Sequence, residues 1–98
     1  MVEQGDIVKT AGIEQPLLVV SSNAYNKAGT MIVCPIVKVA GNETLRVFVE
    51  TKQISGHVLC DDMKRLDLKT RGFTVKGNVG IAKMIIILDM IQSLFAYV

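Results

Sequence analysis

Residues 56–72 read GHVLCDDMKRLDLKTRG: a short apolar run closes on Cys60, Asp61 and Asp62, and basic residues follow at once. A run of strand length that ends in acids and restarts as KRLDLK predicts two short strands joined by a tight polar turn. Strand alternation sends Lys64 and Arg65 to opposite faces, so only part of the basic cluster can serve one groove. Lys64, Arg65, Lys69 and Arg71 then read either as a phosphate-binding patch or as charges that keep a strand edge from pairing.

The same punctuation recurs on both sides of this stretch. DIVKT predicts a strand and TAGIEQP a turn, and PLLVVSS has the continuous apolar character of a strand buried on both faces. NAYNKAGT is a polar loop with room for one helical turn, and MIVCPIVKV is the next strand. Pro35 lacks a ladder donor, so a bulge or an edge position is expected there. AGNET is a turn. LRVFVETK alternates, with Leu45, Val47 and Val49 on one face and Arg46, Phe48 and Glu50 on the other. GFTVKGNV is a final strand or hairpin arm. Five to seven short strands separated by turns predict a mainly β chain closed as a small barrel or sandwich.

After Gly80 the period changes. Ile81, Met84, Ile85, Leu88, Ile91 and Phe95 fall at three- and four-residue steps, which predicts a C-terminal helix with that stripe as its packing face. Ile86, Ile87, Met90 and Leu94 make the helix apolar nearly all round, so two neighbours are expected, one of them a second subunit. Lys83, Asp89 and Gln92 interrupt the segment and argue against a membrane anchor.

The bulk numbers bound the rest. The 98 residues are half apolar and carry a formal charge of +2, which suits one folded domain over residues 1–98 and gives no global nucleic-acid signal. Basic character is local: residues 64–76 hold five Lys or Arg against one Asp. The start, MVEQGDIVK, has no apolar signal segment, so a cytoplasmic location with reduced thiols is expected. Cys34 and Cys60 lie in apolar runs without a Cys-x-x-Cys partner. With His57 as the lone histidine, neither a metal site nor a cofactor is expected.

Taken in order, GDIV at 5–8, QPLLVVSSNAYN at 15–26, MIVCPIV at 31–37 and GHVLCDDMKRLDLKTRG at 56–72 resemble the MazF/PemK/Kid family of type II toxin–antitoxin growth inhibitors. The resemblance runs from about residue 4 to the terminal helix, and its most specific part is the Gly-x-Val-x-Cys-Asp segment with the basic run after it. It implies an SH3-like β-barrel with a C-terminal helix, a homodimer, metal-independent cleavage of single-stranded RNA, and an antitoxin partner that covers the RNA groove.

Residue by residue, the carry-over is incomplete. The family places an Arg before the Pro of its second strand and a Ser or Thr two residues after the Pro of its third; this chain has Gln15 and Val37. Gln15 can donate to a phosphate oxygen without charge, and Val37 can donate nothing. Leu59 stands where some members carry a further Arg, and the first loop is shorter than usual. Asp61 falls on the family's acidic position and is the candidate general base, with Gln15 and His57 as further candidate catalytic groups. Arg46, Lys64, Arg65 and Arg71 are candidate RNA-binding cations, and Asn23 and Tyr25 candidate base contacts. Each has a structural counter-reading: Arg71 holding turn carbonyls, Asn23 satisfying its own loop, His57 as a half-exposed strand residue. Two other functions stay open, a catalytically inactive binding module of the same fold and a gyrase inhibitor of the CcdB kind.

Overall fold

β3 (Thr30–Val37) organises the sheet, because among the described residues it is the one strand with three partners. The computed structural model describes residues 2–39, 41 and 45–95. On one side β3 pairs antiparallel with β2 (Leu17–Val19). On the other it pairs first with β6 (Lys64–Asp67) through Thr30–Val33 and then with β5 (Ser55–Leu59) through Ile36 and Val37. β1 (Asp6–Lys9) lies between β2 and β7 (Thr74–Asn78), and β4 (Arg46–Glu50) pairs with β5. The order is β4-β5-β3-β2-β1-β7 with β6 branching from β3, a curled mainly β architecture of seven strands, as the turn spacing predicts.

The two ends of that order approach each other. A Cβ built on Gly77 of β7 would meet the side chain of Thr51, just past β4, at 3.1 Å. Gly77 takes φ 142°, and the β1–β7 register slips between Ile7 and Val8, so Lys76 is the extra residue of a bulge. A bulge increases local twist, which is what curling an open sheet toward closure requires.

Pro35 departs from expectation. It sits in the central strand, neither bulged nor at an edge. Ile36 N–H donates to Pro16 O at 2.9 Å, so the missing donor at position 35 would have pointed to the other side. There β6 has already ended at Val33 and β5 starts at Ile36. Proline is tolerated because β3 changes partner at that residue.

Alternation along the strands divides the interior in two. Ile7, Leu18, Cys34, Ile36, Val47, Val49, Val58 and Cys60 face one core with the helix residues Met84, Ile87 and Ile91. Val8, Leu17, Val19, Met31 and Val33 face a second, capped by Leu68. β2 contributes to both, which is why its sequence is apolar without a break. At about 1.5–3 kcal/mol for each large apolar side chain, these two layers dominate the drive to fold.

One local reading changes and one stands. KRLDLK is not one strand through Lys69: β6 ends at Asp67, and α2 (Leu68–Arg71) begins. The Asp67 carboxylate accepts from Thr70 N–H at 3.0 Å and from Thr70 Oγ at 2.9 Å, the cap geometry that starts a helix. The NAYN turn is α1 (Asn23–Asn26), capped by Ser22.

The long helix α3 (Ile81–Ser93) forms where the sequence places it, but the expected stripe splits. Met84, Ile87 and Ile91 turn inward, whereas Ile81 (79% exposed), Ile85 (54%) and Phe95 (71%) turn outward. A helix apolar on every side carries no periodic mark of its inner face, so packing against β4 and its neighbours decides it. No helix among the described residues is long and apolar enough to cross a membrane. The expected turn at 40–44 lies, apart from position 41, outside the described residues, as do residues 96–98.

Candidate functional site

One row of side chains crosses the sheet on the face opposite α3. Phe48 of β4 pairs with His57 of β5, and His57 pairs with Val37 of β3. Extending the β2–β3 register from Leu17↔Pro35 by one alternation sets Gln15 opposite Val37, and the Ile36-to-Pro16 bond shows that the register persists that far. Strand pairing thus gathers four residues from four separate stretches of sequence.

At the Gln15–Val37 end the row opens into a cleft of about 650 Å³ lined by Lys9, Glu14, Gln15, Pro16, Ile36, Val37, Lys38, Gln53, Ile54 and Ser55. Lys9 enters from the end of β1, and its Nζ donates to the Glu14 carbonyl at 2.9 Å, which fixes the short first loop over the cleft. Lys38 follows directly on β3, Gln53 comes from the β4–β5 turn, and Ser55 opens β5. Two ammonium groups and two amide side chains around one opening suit a phosphodiester, the amides by hydrogen bonding and the lysines by charge.

Of the candidate catalytic residues, Gln15 lines this cleft, and His57 flanks it through its rung with Val37. Its ring meets Phe48 edge-on, with centroids 5.3 Å apart and planes inclined by 62°. Asp61 lies elsewhere. Ser55 is at the cleft, Leu59 is four residues along β5, about 13 Å further, and Asp61 occupies the exposed turn beyond. Among the described residues Asp61 makes no hydrogen bond or ion pair.

The candidate RNA-binding residues scatter. Arg46 is half-buried, and its Nη1 donates to Val39 O at 3.4 Å, beside the β3–β4 connection. Lys64 and Arg65 are exposed on β6 and, as neighbours in a strand, point to opposite faces. Arg71 reaches from α2 to the first loop, with Nη2 donating to Ala11 O at 3.2 Å, a carbonyl-holding role like the one read for it at a turn. Asn23 Oδ1 accepts from Gln4 N–H at 2.7 Å and so serves its own loop, while Tyr25 stays exposed.

Lys9, Lys38, Gln53 and Ser55 were not legible as site residues, because each is an ordinary strand-end or turn residue until the strands pair. Phe48 carried a signal: alternation already placed an aromatic on the face opposite Val47 and Val49. Among the described residues no group of three or more His, Cys, Asp or Glu is arranged to hold a metal ion.

Comparison with known proteins bears on the fold and the family. Two solved structures from Deinococcus radiodurans are similar to the chain. A MazE-MazF crystal structure aligns with TM-score 0.86 at 26% identity, over 96% of this chain and 95% of that one. A crystal structure of MazF aligns with TM-score 0.81 at 24% identity, over 96% of both chains. A mycobacterial endoribonuclease in complex with its cognate antitoxin shares the fold, with TM-score 0.82 at 20% identity over 97% of this chain and 95% of that one. No curated protein sequence matches significantly. The family profile described as PemK-like, MazF-like toxin of type II toxin-antitoxin system matches residues 3–95, and the chain therefore belongs to that family.

Proposed function

We propose that this protein is the toxin of a type II toxin–antitoxin pair, acting in the cytoplasm as a homodimeric, metal-independent endoribonuclease on single-stranded RNA. The observation that carries the reading is the family match over residues 3–95, combined with a polar, lysine-flanked cleft at Gln15 and Val37.

In such a reaction the ribose 2′-oxygen attacks the adjacent phosphorus, the bond to the 5′-oxygen breaks, and a 2′,3′-cyclic phosphate remains. A base takes the 2′-proton, donors hold the phosphorane oxygens, and an acid protonates the leaving oxygen. Gln15 donates to a phosphoryl oxygen, and Lys9 and Lys38 supply the charge that Gln15 lacks. His57, one rung from Val37, flanks the cleft as the candidate proton carrier. Asp61, at the far end of β5, is the alternative base.

The outward Ile81 and Ile85 of α3, with Phe95 just past its end, support a second copy of the chain as partner, since an apolar stripe of this kind on a small domain gains by being covered. An antitoxin segment would inhibit by filling the cleft.

Val37 favours a second reading, because a hydroxyl-free residue at that rung removes one donor: a toxin-fold module that binds RNA without cutting it. Long single-stranded RNA incubated with the purified protein in EDTA separates the two. Cuts lost in His57→Gln and kept in Asp61→Asn support the cleft assignment, cuts lost in Asp61→Asn move the base to Asp61, and binding without cuts selects the module.

A further inference from the structure

We propose that the Phe48–His57 ring pair, on the outer face of β4 and β5, is a nucleobase-stacking subsite that continues the Gln15–Val37 cleft and takes one unstacked base of single-stranded RNA. The subsite presupposes the RNA substrate proposed above.

β4 is the terminal strand of the sheet order, and Phe48 is 49% exposed on it while its neighbours Val47 and Val49 are buried. A phenyl ring at such a position gives the fold little. Its edge-to-face contact with His57 fixes the orientation of both rings and leaves ring surface open to solvent. Fixed aromatic faces on a sheet surface bind splayed bases of any identity, because every base presents a π-face.

The row has a cation on each flank. Lys38 lines the cleft with Ser55 on one side of it, where Glu50 and Ser55 form the next outward rung, and Arg46 lies two residues from Phe48 on the other side, on the same face of β4. A polyanionic backbone held at Lys38 in the cleft can therefore cross the row toward Arg46, with its bases turned over the rings. Val37 and Phe48 are two strand spacings apart, about 10 Å. A nucleotide whose phosphate occupies the cleft thus has its neighbour at the rings. The other apolar outward positions here, Val37, Val39 and Leu59, are aliphatic. Among the described residues on the outer face of β3, β4 and β5 only this rung presents rings, which is why a base suits it better than an acidic peptide.

The chain contains no tryptophan, so Phe48→Trp gives a single fluorescent reporter in the intact protein. The probe is a random-sequence pool of 2′-O-methyl RNA, which cannot be cut for want of the 2′-hydroxyl. Quenching of the new indole is expected on binding. Phe48→Ala should bind the pool about tenfold more weakly, Phe48→Tyr should restore binding, and thermal midpoints should stay together. An unquenched indole, with Phe48→Ala binding and cutting RNA like the parent, would overturn the subsite and leave the ribonuclease reading intact. Failure of every form to bind RNA would overturn both. Quenching by an acidic peptide and not by RNA would give the rings to a protein partner and overturn the proposal.

Discussion

The Cys34 thiol lies 4.0 Å from the main-chain oxygen of Cys60, and the two residues face each other across the β3–β5 ladder one alternation beyond Ile36↔Val58. Both are fully buried in the core under α3. Burial pushes Cys34 up to about 12, with the neighbouring Cys60 adding to the rise, and burial likewise pushes Cys60 to about 11.

A reactivity and pH prediction follows from that pair. At pH 8 almost no thiolate forms, so iodoacetamide should label the unfolded chain and leave the native one unlabelled. The folded state keeps protons that the unfolded thiols, at 9.0, release. The stabilisation is therefore fully present below pH 9 and is lost as pH rises toward 11–12. Urea midpoints should fall through that window, and Cys34→Ala should flatten the fall. A parent midpoint that stays constant from pH 8 to 11 would contradict this.

Restoring the family's donors should raise turnover. Gln15→Arg with Val37→Thr returns a cation and a hydroxyl to one rung of the cleft. A single donor aimed at developing charge is commonly worth two to three orders of magnitude, so cleavage of single-stranded RNA should rise at least about tenfold. Unchanged rates in the double variant would place the phosphodiester elsewhere.

The two faces of α3 should behave oppositely. Ile87→Ala removes a fully buried side chain and should cost about 3 kcal/mol in chemical denaturation. Ile85→Glu alters a half-exposed side chain and should leave the fold intact while shifting sedimentation from dimer to monomer. A variant that still sediments like its parent would exclude this face as the contact between copies.

α2 should depend on its cap. The Thr70 amide, then the Thr70 hydroxyl, hold the Asp67 carboxyl below its ordinary range. Its stabilisation is present above the unfolded value of 3.8 and is lost as pH falls through the lower folded one. Asp67→Ala should lower the thermal midpoint by a few degrees at pH 7, and the gap should narrow near pH 2. Equal midpoints at pH 7 would deny the cap any role.

Much of this architecture could be read directly. The unbroken PLLVV predicted a strand buried on both faces because it serves two cores, and LRVFVE predicted its inner and outer faces because strand alternation is strict. Asp67 was harder: carboxylate, Thr70 and Gly72 form a cap signal, but the preceding KRLD reads equally well as a strand that continues. The site was legible only in part. Gln15 and Val37 stood out against the family pattern, whereas Lys9 and Lys38 became cleft residues only once β1 and β3 were set on either side of β2.

The succession of strands along the chain, the two-sided burial of β2, the terminal helix and the family were determined by the sequence alone, since each depends on spacings of a few residues. Tertiary structure decided which face of α3 turns inward, how Pro35 is tolerated, and that Phe48, His57, Val37 and Gln15 share one row. Those facts depend on register between strands distant in the chain, which no local pattern encodes.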